Sequence, residues 1–445
     1  MSAANTMLGN NCSLLEKVTR LFVTRFIRQY TSTGCIILIE EDGTTLTFEG
    51  TSIGSSLKSV LKVHNPQFYW KVMTRSDLGL ADAYINGDFS FDDKDKGLEN
   101  LFTILIANRD SNSSLSKMSK KSGWWTPLLF AASMTPARYF FHHITRQNTL
   151  TQARRNISRH YDLSNELFSL FLDETMTYST AVFKEEDEEL KIAQLRKISI
   201  LIEKAKINKN HEVLEIGCGW GSFAIEVVKQ TGCRYTGITL SEEQLKFAEK
   251  KVKDAGLQDY IKFLLCDYRK LPPNSTYDRI ISCEMLEHVG HKFMEQFFGC
   301  CESLLAEKGL LVLQFTSLPD ERYDKYRQSS DFINEYIFPG ACIPSLSRVT
   351  SAMATSSRLS VEHLENIGIH YYPTLKCWKK NFLENQNEIL ALGFDEEFIR
   401  TWEYYFDYCA AGFNSCTLGN YQIVFSRPGN VPVLGNPFKG FPSAY

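Results

Sequence analysis

The sequence has little net charge and no long apolar run. Its 49 lysines and arginines nearly balance 52 aspartates and glutamates, leaving a formal net charge of −3, so the chain exerts no general attraction on nucleic acid or anionic lipid. The longest nearly uncharged apolar run, residues 124–134, is shorter than the roughly 20 residues that a helix needs to cross a bilayer. The first 12 residues lack the charged and then apolar layout of a signal peptide. We therefore expect neither a transmembrane anchor nor secretion.

The 12 cysteines contain no Cys-x-x-Cys pair. Without such a pair the sequence predicts neither a zinc site nor a disulfide framework, and we expect no bound metal and a reducing, cytoplasmic compartment. With 43% hydrophobic and 23% charged residues over 445 positions, the composition is that of a globular protein with two or three domains.

One stretch combines a short apolar strand with three spaced glycines. It runs from Val213 to Gly221 as Val-Leu-Glu-Ile-Gly-Cys-Gly-Trp-Gly, and a helical run over 222–230 follows it. Glycines at a strand end let a ligand approach the backbone, and the N–H groups of the next helix face that ligand. No Gly-Lys-Ser or Gly-Lys-Thr follows the glycines, which disfavours a phosphate-binding loop. The stretch therefore predicts a pocket for a nucleotide-like cofactor.

A carboxylate within this strand indicates which cofactor the pocket binds. Glu215 lies two residues before the first glycine, where it can meet an ammonium or a sulfonium, whereas a dinucleotide pyrophosphate would be repelled. S-adenosylmethionine therefore fits the pocket better than a dinucleotide does. The alternative is that Glu215 is only an exposed acid at the strand end.

Strands and helices alternate after the glycines. Alternation of this kind predicts a parallel sheet with helices on both faces. A last strand over 420–426 follows a long helical insert, and we expect it at the edge of the sheet and antiparallel, as in S-adenosylmethionine-dependent methyltransferases. The other predicted strands are 234–238, 261–266, 278–283 and 309–315, and the predicted helices are 241–254 and 292–305.

Polar residues near the predicted strand ends extend the candidate cofactor site. The second strand ends without the acid that commonly holds ribose hydroxyls, so neutral side chains are expected to bond there instead. Ser241 and Gln244 also form a capping box for the following helix. The candidate cofactor residues are Glu215, Gly217, Cys218, Gly219, Trp220, Gly221, Thr239, Ser241 and Gln244, together with Asp267 and Tyr268 where adenine would lie.

Residues 1–110 are predicted to form a separate α+β domain. An amphipathic, basic helix is expected over 13–30, and its apolar face through Leu14, Val18 and Leu21 is expected to pack in the core, with membrane contact as the alternative. A hairpin turning at Asp42-Gly43 follows. The predicted strands are 35–40, 44–49 and 59–63, and the predicted helices are 67–74 and 78–88.

Residues 111–160 contain eight lysines and arginines and no aspartate or glutamate. Aromatic residues such as Trp124 and Phe140 are interleaved with these charges, a combination that suits lipid headgroups. Packing between domains is the alternative, and nucleic-acid binding is disfavoured because no nucleic-acid motif is present. We predict a basic aromatic linker over 111–150, peripheral contact with a membrane surface, and no nucleic-acid partner.

Six short motifs lie between residues 160 and 340. They are His160-Tyr-Asp-Leu-Ser164, Met176-Thr-Tyr-Ser179, Glu215-Ile-Gly-Cys-Gly-Trp-Gly221, Gly237-Ile-Thr-Leu-Ser241, Glu287-His-Val-Gly290 and Tyr336-Ile-Phe-Pro-Gly340. Together they resemble the cyclopropane-fatty-acid synthase family, including the mycolic acid cyclopropane synthases. The resemblance covers 151–445, and 65–87 also resembles the small N-terminal domain of the bacterial enzymes, while 317–323 resembles the plant branch.

The resemblance implies a fold and an activity. The fold is α/β, a Rossmann-like class I methyltransferase fold with a mixed seven-stranded sheet and helices on both faces, in a catalytic domain over 151–445 that follows the small α+β domain. The activity is transfer of a methylene group from S-adenosylmethionine to the cis double bond of an unsaturated phospholipid acyl chain. By their motif, Tyr178 and Ser179 join the candidate cofactor residues.

The resemblance also implies a base. In the family a bicarbonate ion removes the proton as the ring closes, held by a carboxylate, a histidine, a tyrosine and a main-chain group near a cysteine. Here Gln314 stands in place of the histidine and Thr180 in place of the cysteine. The candidate catalytic residues are Glu287, Tyr371, Gln314, Thr180, His288 and Cys409.

Several alternatives stay open at this stage. Plant N-methyltransferases of benzylisoquinoline alkaloids share the Glu-His pair, which would make the acceptor a small amine, and a non-catalytic lipid-binding protein is a second alternative. Tyr371 and Tyr372, in a strand-like segment, are alternatively core aromatics, and Cys409 a plain buried thiol. Glu287 and His288 could simply cap a helix. A homodimer is one expectation for the assembly, with the oligomeric state left open.

Overall fold

The computed structural model describes residues 14–51, 56–111, 152–153, 156–157, 163–272 and 274–445. They belong to two compact units that divide between residues 135 and 136. The predicted linker over 111–150 lies outside the described residues except for the backbone of position 111, and so do the first three residues of the motif that begins at 160. The lipid-headgroup interpretation of the linker therefore stays a prediction.

The first unit is an α+β arrangement around a four-stranded sheet. Its strands are β1 (Cys35–Ile39), β2 (Thr45–Glu49), β3 (Lys58–Val63) and β4 (Phe89–Phe91), and its helices are α1 (Leu14–Tyr30), α2 (Gln67–Ile85) and α3 (Gly97–Ser111). The sheet order is β2, β1, β3, β4, with only β1 and β3 parallel. The hairpin was predicted correctly, whereas β4 and α3 were not predicted. Ser76, with φ of 60°, interrupts α2, which explains the two shorter helices that the sequence suggests.

The buried face of α1 differs from the expected one. Leu14 and Leu21 are 80% and 69% exposed, so the prediction that their apolar stripe packs in the core is wrong. The helix carries a second stripe, in which Phe26 and Tyr30 stack at 5.2 Å and the Tyr30 hydroxyl donates to the Leu105 carbonyl at 2.8 Å. These larger aromatic side chains bury more surface than the leucines would, and they decide which face packs.

The second unit contains a mixed seven-stranded sheet, as predicted. Its strands are β5 (Glu212–Ile216), β6 (Arg234–Thr239), β7 (Ile261–Leu265), β8 (Tyr277–Cys283), β9 (Leu305–Ser317), β10 (Ser360–Asn366) and β11 (Gly419–Ser426). The order across the sheet is β10, β11, β9, β8, β5, β6, β7. Strand β11 is antiparallel to both neighbours, as expected. It lies between β9 and β10 rather than at the edge, since β10, which was not predicted, forms the edge of the sheet.

Helices cover both faces of this sheet. They are α4 (Asn165–Phe171), α5 (Leu190–Lys204), α6 (Ser222–Thr231), α7 (Glu242–Asp254), α8 (Met294–Leu304), α9 (Asp320–Tyr326), α10 (Leu346–Ser356), α11 (Tyr371–Glu384), α12 (Gln386–Ala391), α13 (Glu396–Asn414) and α14 (Val431–Leu434). Within the described part of the chain, no helix combines the length and hydropathy needed to cross a bilayer. The strand-like interpretation of Tyr371 and Tyr372 is wrong, since both residues begin α11.

Successive residues of the central strands pack on opposite faces. Val213 belongs to an apolar cluster with residues of α5 and α6, whereas Leu214 belongs to a cluster with residues of α8 and α10. Strands buried on both faces read as continuous apolar runs, which is why the sequence predicts them well.

The chain order across the sheet creates a crevice. From β5 the chain proceeds outward to β6 and β7, then returns to β8 on the other side of β5. Ligands of open α/β sheets bind at such a reversal, outside the carboxyl ends of the strands. The glycines that follow β5 lie at this position.

Candidate active site

The three glycines after β5 adopt left-handed conformations. Gly217 and Gly221 have φ of 89° and 83°, and an added Cβ would approach Met285 to 2.9 Å at the first and Ala248 to 2.8 Å at the second. A Cβ on Gly219 would have no protein atom within 4 Å. Gly217 and Gly221 are thus needed for packing, while Gly219 faces open space.

That open space belongs to a cleft with about 1150 Å³ of empty volume, including space open to solvent. The cleft lies at the carboxyl ends of β5, β6, β7 and β8. Twelve of the predicted cofactor residues line it, namely Tyr178, Ser179, Glu215, Gly217, Cys218, Gly219, Trp220, Gly221, Thr239, Gln244, Asp267 and Tyr268. Sequence positions from 178 to 268 therefore meet at one site, and their contacts with a bound cofactor stay a prediction.

Glu215 is buried within this cleft, so the alternative of an exposed strand-end acid is wrong. The Tyr235 hydroxyl donates to its carboxylate at 3.0 Å. Burial raises the pKa of Glu215 to about 8, and the Tyr235 hydrogen bond and the Lys197 charge oppose that rise. A cation bound nearby would favour the ionised carboxylate further.

The polar groups at the end of β6 are arranged differently from the expected capping box. Ser241 accepts a hydrogen bond from the Gln244 backbone at 3.1 Å, as predicted, and its hydroxyl caps α7 instead of lining the cleft. The Gln244 side chain does not complete the box; it accepts from the Thr239 hydroxyl at 2.8 Å. Thr239 and Gln244 thus form a neutral polar pair on the cleft wall.

Asp267 has a partner that the sequence analysis did not consider. Arg269 donates to both its oxygens, at 2.8 and 2.7 Å, and the guanidinium lies 5.4 Å from the centre of the Tyr268 ring. The pair fixes the orientation of Asp267 after β7. It leaves the carboxylate able to accept further bonds, because a carboxylate oxygen has two lone pairs.

Three of the six candidate catalytic residues converge on a carboxylate that was not predicted. Thr180 donates its backbone N–H to Glu284 at 3.0 Å, Gln314 donates its side-chain amide at 2.9 Å, and Tyr371 donates its hydroxyl at 2.8 Å. The side-chain amide of Asn420 is a fourth donor, at 2.8 Å. Glu284 follows β8 and lines the cleft.

Glu287, the carboxylate expected in this role, has other surroundings. One of its oxygens accepts from the Thr316 backbone, and the other is buried without a hydrogen-bond partner among the described residues. Burial and the Glu284 charge raise the pKa of Glu287 to about 8. The carboxyl group is therefore mostly neutral at pH 7.

The two remaining catalytic candidates differ in position. His288 lines the cleft, and burial lowers its pKa to about 4, so the imidazole is neutral. Cys409 lies in α13, and burial raises the pKa of its thiol; a catalytic role and a plain thiol both stay predictions. Lys197, which the sequence analysis also missed, lines the cleft and donates to the Ser179 hydroxyl at 2.7 Å.

The sheet order, the reversal beside β5 and the glycine loop define a class I S-adenosylmethionine-dependent methyltransferase. The family model described as mycolic acid cyclopropane synthetase matches residues 148–423. The chain belongs to that family, and it is an enzyme of the methyltransferase class.

Similar proteins agree with this assignment. A tuberculostearic acid methyltransferase of Mycobacterium tuberculosis is 32% identical over 423 residues, 93% of each chain. A cyclopropane-fatty-acyl-phospholipid synthase of Escherichia coli is 32% identical over 384 residues, 86% of this chain and 91% of the other. The crystal structure of a mycolic acid cyclopropane synthase complexed with SAH and CTAB is 27% identical with a TM-score of 0.57, and covers 62% of this chain and 98% of that one.

S-adenosylmethionine is the cofactor, and the cleft fits it. A buried carboxylate, Glu215, is present for the cationic part, open space lies over Gly219, and polar side chains follow β6 and β7 where the nucleoside would lie.

The pKa of Glu215 predicts pH-dependent binding. At pH 6.5 a carboxyl group with a pKa of about 8 is mostly protonated, and it must lose that proton to attract a cation. We therefore expect S-adenosylmethionine affinity to rise on the order of tenfold towards pH 8, with proton release on binding. Glu215→Gln should bind more weakly at pH 8 and lose this pH dependence. Calorimetry in two buffers of different ionisation enthalpy measures both the affinity and the proton release. An affinity of the unsubstituted protein that does not change with pH, without proton release, would contradict the prediction.

Proposed function

We propose that the protein is a cyclopropane-fatty-acyl-phospholipid synthase, which adds a methylene group from S-adenosylmethionine to the cis double bond of an unsaturated phospholipid acyl chain. Support comes from the relatives, whose names denote lipid substrates. The observation that carries the proposal is an aromatic cluster that meets the cofactor cleft at Tyr178.

Tyr178 lies on the cleft wall and packs among aromatic side chains from several helices. Its ring centre is 5.1 Å from that of Trp378 in α11, and its hydroxyl donates to the Tyr405 hydroxyl in α13 at 3.1 Å. Tyr371 contacts Trp378 in turn, at 5.9 Å. Phe168, Phe171 and Phe338 also pack against Tyr178. The cluster places an apolar, aromatic region beside the cleft, and its ring faces suit a cation.

This arrangement matches the demands of the proposed reaction. When bound, S-adenosylmethionine supplies a methyl group on a positively charged sulfur. An alkene is a weak nucleophile, so the chain must hold the double bond close to that methyl group and keep water out. The rings of Tyr178, Trp378 and Tyr371 would stabilise the positive charge that then develops on the acyl carbon. A proton must finally leave the transferred carbon as the ring closes.

We also propose that the enzyme meets its lipid at a membrane surface. The exposed stripe of α1 contains Leu14, Leu15, Val18 and Leu21, each more than half exposed. The eight positive charges over 111–160 would add attraction to anionic headgroups. Peripheral association of this kind should weaken as salt screens the charges over about 8 Å at physiological ionic strength.

The function can be tested with labelled S-adenosylmethionine and vesicles. We expect label in the acyl chains of unsaturated phospholipid, with a gain of one CH₂ unit, and none in saturated phospholipid offered as the matched control. Mild hydrogenation separates the ring from a methylene branch, because only the branch takes up hydrogen. Anionic vesicles at low salt should be the best substrate.

Small amines offered separately test the main alternative. Methylation of an amine without lipid product would support an N-methyltransferase and contradict the proposal. Retained cofactor binding with no product from either class would support the non-catalytic lipid-binding protein.

A further inference from the structure

The donors expected to hold bicarbonate are already used by the chain itself. The Thr180 backbone and the Tyr371 hydroxyl have one hydrogen each to donate, and both point at Glu284, at 3.0 and 2.8 Å. The Gln314 and Asn420 amides complete the set. A bicarbonate ion would have to displace a carboxylate that carries the same charge and offers the same acceptor atoms. The residues present therefore do not fit a bound bicarbonate.

Glu284 is held in this position by an unusual backbone. Its φ is 50°, a left-handed conformation that is uncommon for residues other than glycine. Its N–H donates to the Gln314 carbonyl at 2.7 Å, which ties the strained residue to β9. Strain of this kind persists only where the surroundings impose it, and it is concentrated at functional sites. Four donors from four separate segments supply that constraint.

The carboxylate retains an acceptor position. Among the residues that the structure describes, Oε1 accepts three of the four hydrogen bonds, from Thr180, Gln314 and Asn420, and Oε2 accepts the one from Tyr371. A carboxylate oxygen has two lone pairs, so Oε2 can accept one more hydrogen. Glu284 lines the cofactor cleft, so its carboxylate lies on the side of the sheet where methyl transfer would occur.

Other titratable groups described on the cleft wall are less suited to take a proton from carbon. Asp267 is paired with Arg269, and Glu215 accepts the Tyr235 hydroxyl beside the glycine loop. His288 is neutral, and its pKa of about 4 makes it a weak base. Glu284 is also adjacent to the aromatic cluster, through the Tyr371 hydroxyl that donates to it and the Tyr371 ring that contacts Trp378.

We propose that Glu284 is the general base of this enzyme and replaces the bicarbonate ion. The proposal rests on the proposed function. After methyl transfer a C–H bond of the new methyl group breaks, its electron pair forms the second C–C bond of the ring at the cationic carbon, and the proton passes to Oε2 of Glu284. The positive charge is thereby neutralised, and the carboxyl group returns the proton to water before the next turnover. No co-reactant is required.

Two substitutions at Glu284 test the proposal. Glu284→Gln keeps the shape and removes the base, so turnover should fall about 10²–10⁴-fold while S-adenosylmethionine affinity stays within about twofold. Glu284→Gly should be equally slow, but it suits the positive φ and uncovers the four donors. Added bicarbonate or formate should then restore turnover at least about tenfold in Glu284→Gly and have no effect on Glu284→Gln, where the amide fills the space.

Glu287→Gln is the discriminating comparison, since the bicarbonate model assigns the anchor to Glu287. Our proposal expects a smaller loss for Glu287→Gln than for Glu284→Gln, and the bicarbonate model expects the reverse. Turnover of the unsubstituted enzyme should be the same in bicarbonate-depleted and bicarbonate-supplemented buffer. A requirement for bicarbonate, or full turnover by Glu284→Gln, would overturn the proposal.

A second readout does not depend on the lipid substrate. NMR of ¹³C-labelled bicarbonate should show binding to Glu284→Gly and none to the unsubstituted protein. Bicarbonate binding to the unsubstituted protein, lost in Glu287→Gln, would refute the replacement even if no lipid product were found. Absence of lipid product with the expected NMR result would instead reject the proposed function and leave the occupancy of the site by Glu284 established. If Glu284→Gly does not fold, Glu284→Gln and the unsubstituted protein still decide the outcome.

Discussion

Substituting Gly219 by valine is expected to weaken S-adenosylmethionine binding strongly. A Cβ at this position meets no protein atom within 4 Å and points into space that the cofactor would occupy, so valine fills the cleft without disturbing the packing around it. Overpacking a fitted site costs about 1–3 kcal/mol and each tenfold in affinity is about 1.4 kcal/mol, so we expect affinity to fall by roughly 5- to 150-fold. Isothermal calorimetry measures it directly.

Gly232→Val is the matched control for this substitution. Gly232 lies at the opposite end of α6 and also has a positive φ, 71° against 50° for Gly219, so valine introduces a similar backbone strain there. That strain costs roughly 1–2 kcal/mol of folding stability in either variant. Both variants should melt at lower temperature, but only Gly219→Val should bind the cofactor more weakly. Unchanged affinity in Gly219→Val would reject the assignment of the cleft.

The second large effect is expected for stability, at the ion pair between α11 and α13. Lys379 donates to Asp407 at 2.7 Å and lies 3.6 Å from Glu403, and both charges of the close pair are almost fully buried. Asp407→Ala removes the nearer of these two carboxylates from the Lys379 ammonium, and Glu403 at 3.6 Å is the more distant of the two. Breaking a buried pair by removing one partner costs about 3–5 kcal/mol, a fall in melting temperature on the order of 10 °C for a unit of this size.

A double variant distinguishes the cost of the unpaired charge from the cost of altered packing. Lys379→Met with Asp407→Leu removes both charges and fills similar volume, so it should recover most of the lost stability, because replacing a whole buried pair by apolar residues is often neutral. Thermal unfolding followed by circular dichroism compares the three proteins. Equal losses in Asp407→Ala and in the double variant would mean that packing, not the unpaired charge, sets the cost.

Since α11 and α13 carry Trp378 and Tyr405, Asp407→Ala should also lower turnover.

The part of the fold around the cofactor cleft, from β5 to β9, could be predicted because its sequence signals are local. Strand β5, the three glycines and the start of α6 are continuous in sequence, and the turn after β5 requires residues that tolerate positive φ. Strands β8 and β9 are buried on both faces over most of their length and are visible as apolar runs, whereas β7, at the edge of the sheet, has exposed residues at 262 and 265. Their predicted bounds differ from the observed ones by a few residues, most at β9, which begins at Leu305 rather than 309.

Strand β10 and the start of α11 were harder to predict from the sequence, for physical reasons. Strand β10 is an edge strand that contains Glu362 and Glu365, and its Val361 and Leu364 are exposed, so it has no apolar run. Tyr371 and Tyr372 favour strands by propensity, yet they begin a helix whose first turn also contains Pro373, a position where proline is tolerated.

The role of Glu284 could not be predicted from local sequence. Its donors come from residues 180, 314, 371 and 420, which are between 30 and 136 positions away along the chain. Only the fold brings them together, because the carboxyl ends of β8 and β9 meet the start of α11. A general signal was available, since an acid directly after a parallel strand lies at the ligand-binding edge.

The reversed direction of β11 separates two tasks within one sheet. Because this strand runs antiparallel, its first residues rather than its last reach the edge where the cofactor cleft lies, and Asn420 arrives beside Glu284. Three of the four donors around the acid, from Gln314, Tyr371 and Asn420, thus come from the late part of the chain, whereas the glycine loop comes from an earlier continuous stretch. Substitutions in β11 can reshape the surroundings of the acid while the nucleoside pocket stays intact. The same sheet can therefore accommodate different methyl acceptors while its binding site for the methyl donor stays unchanged.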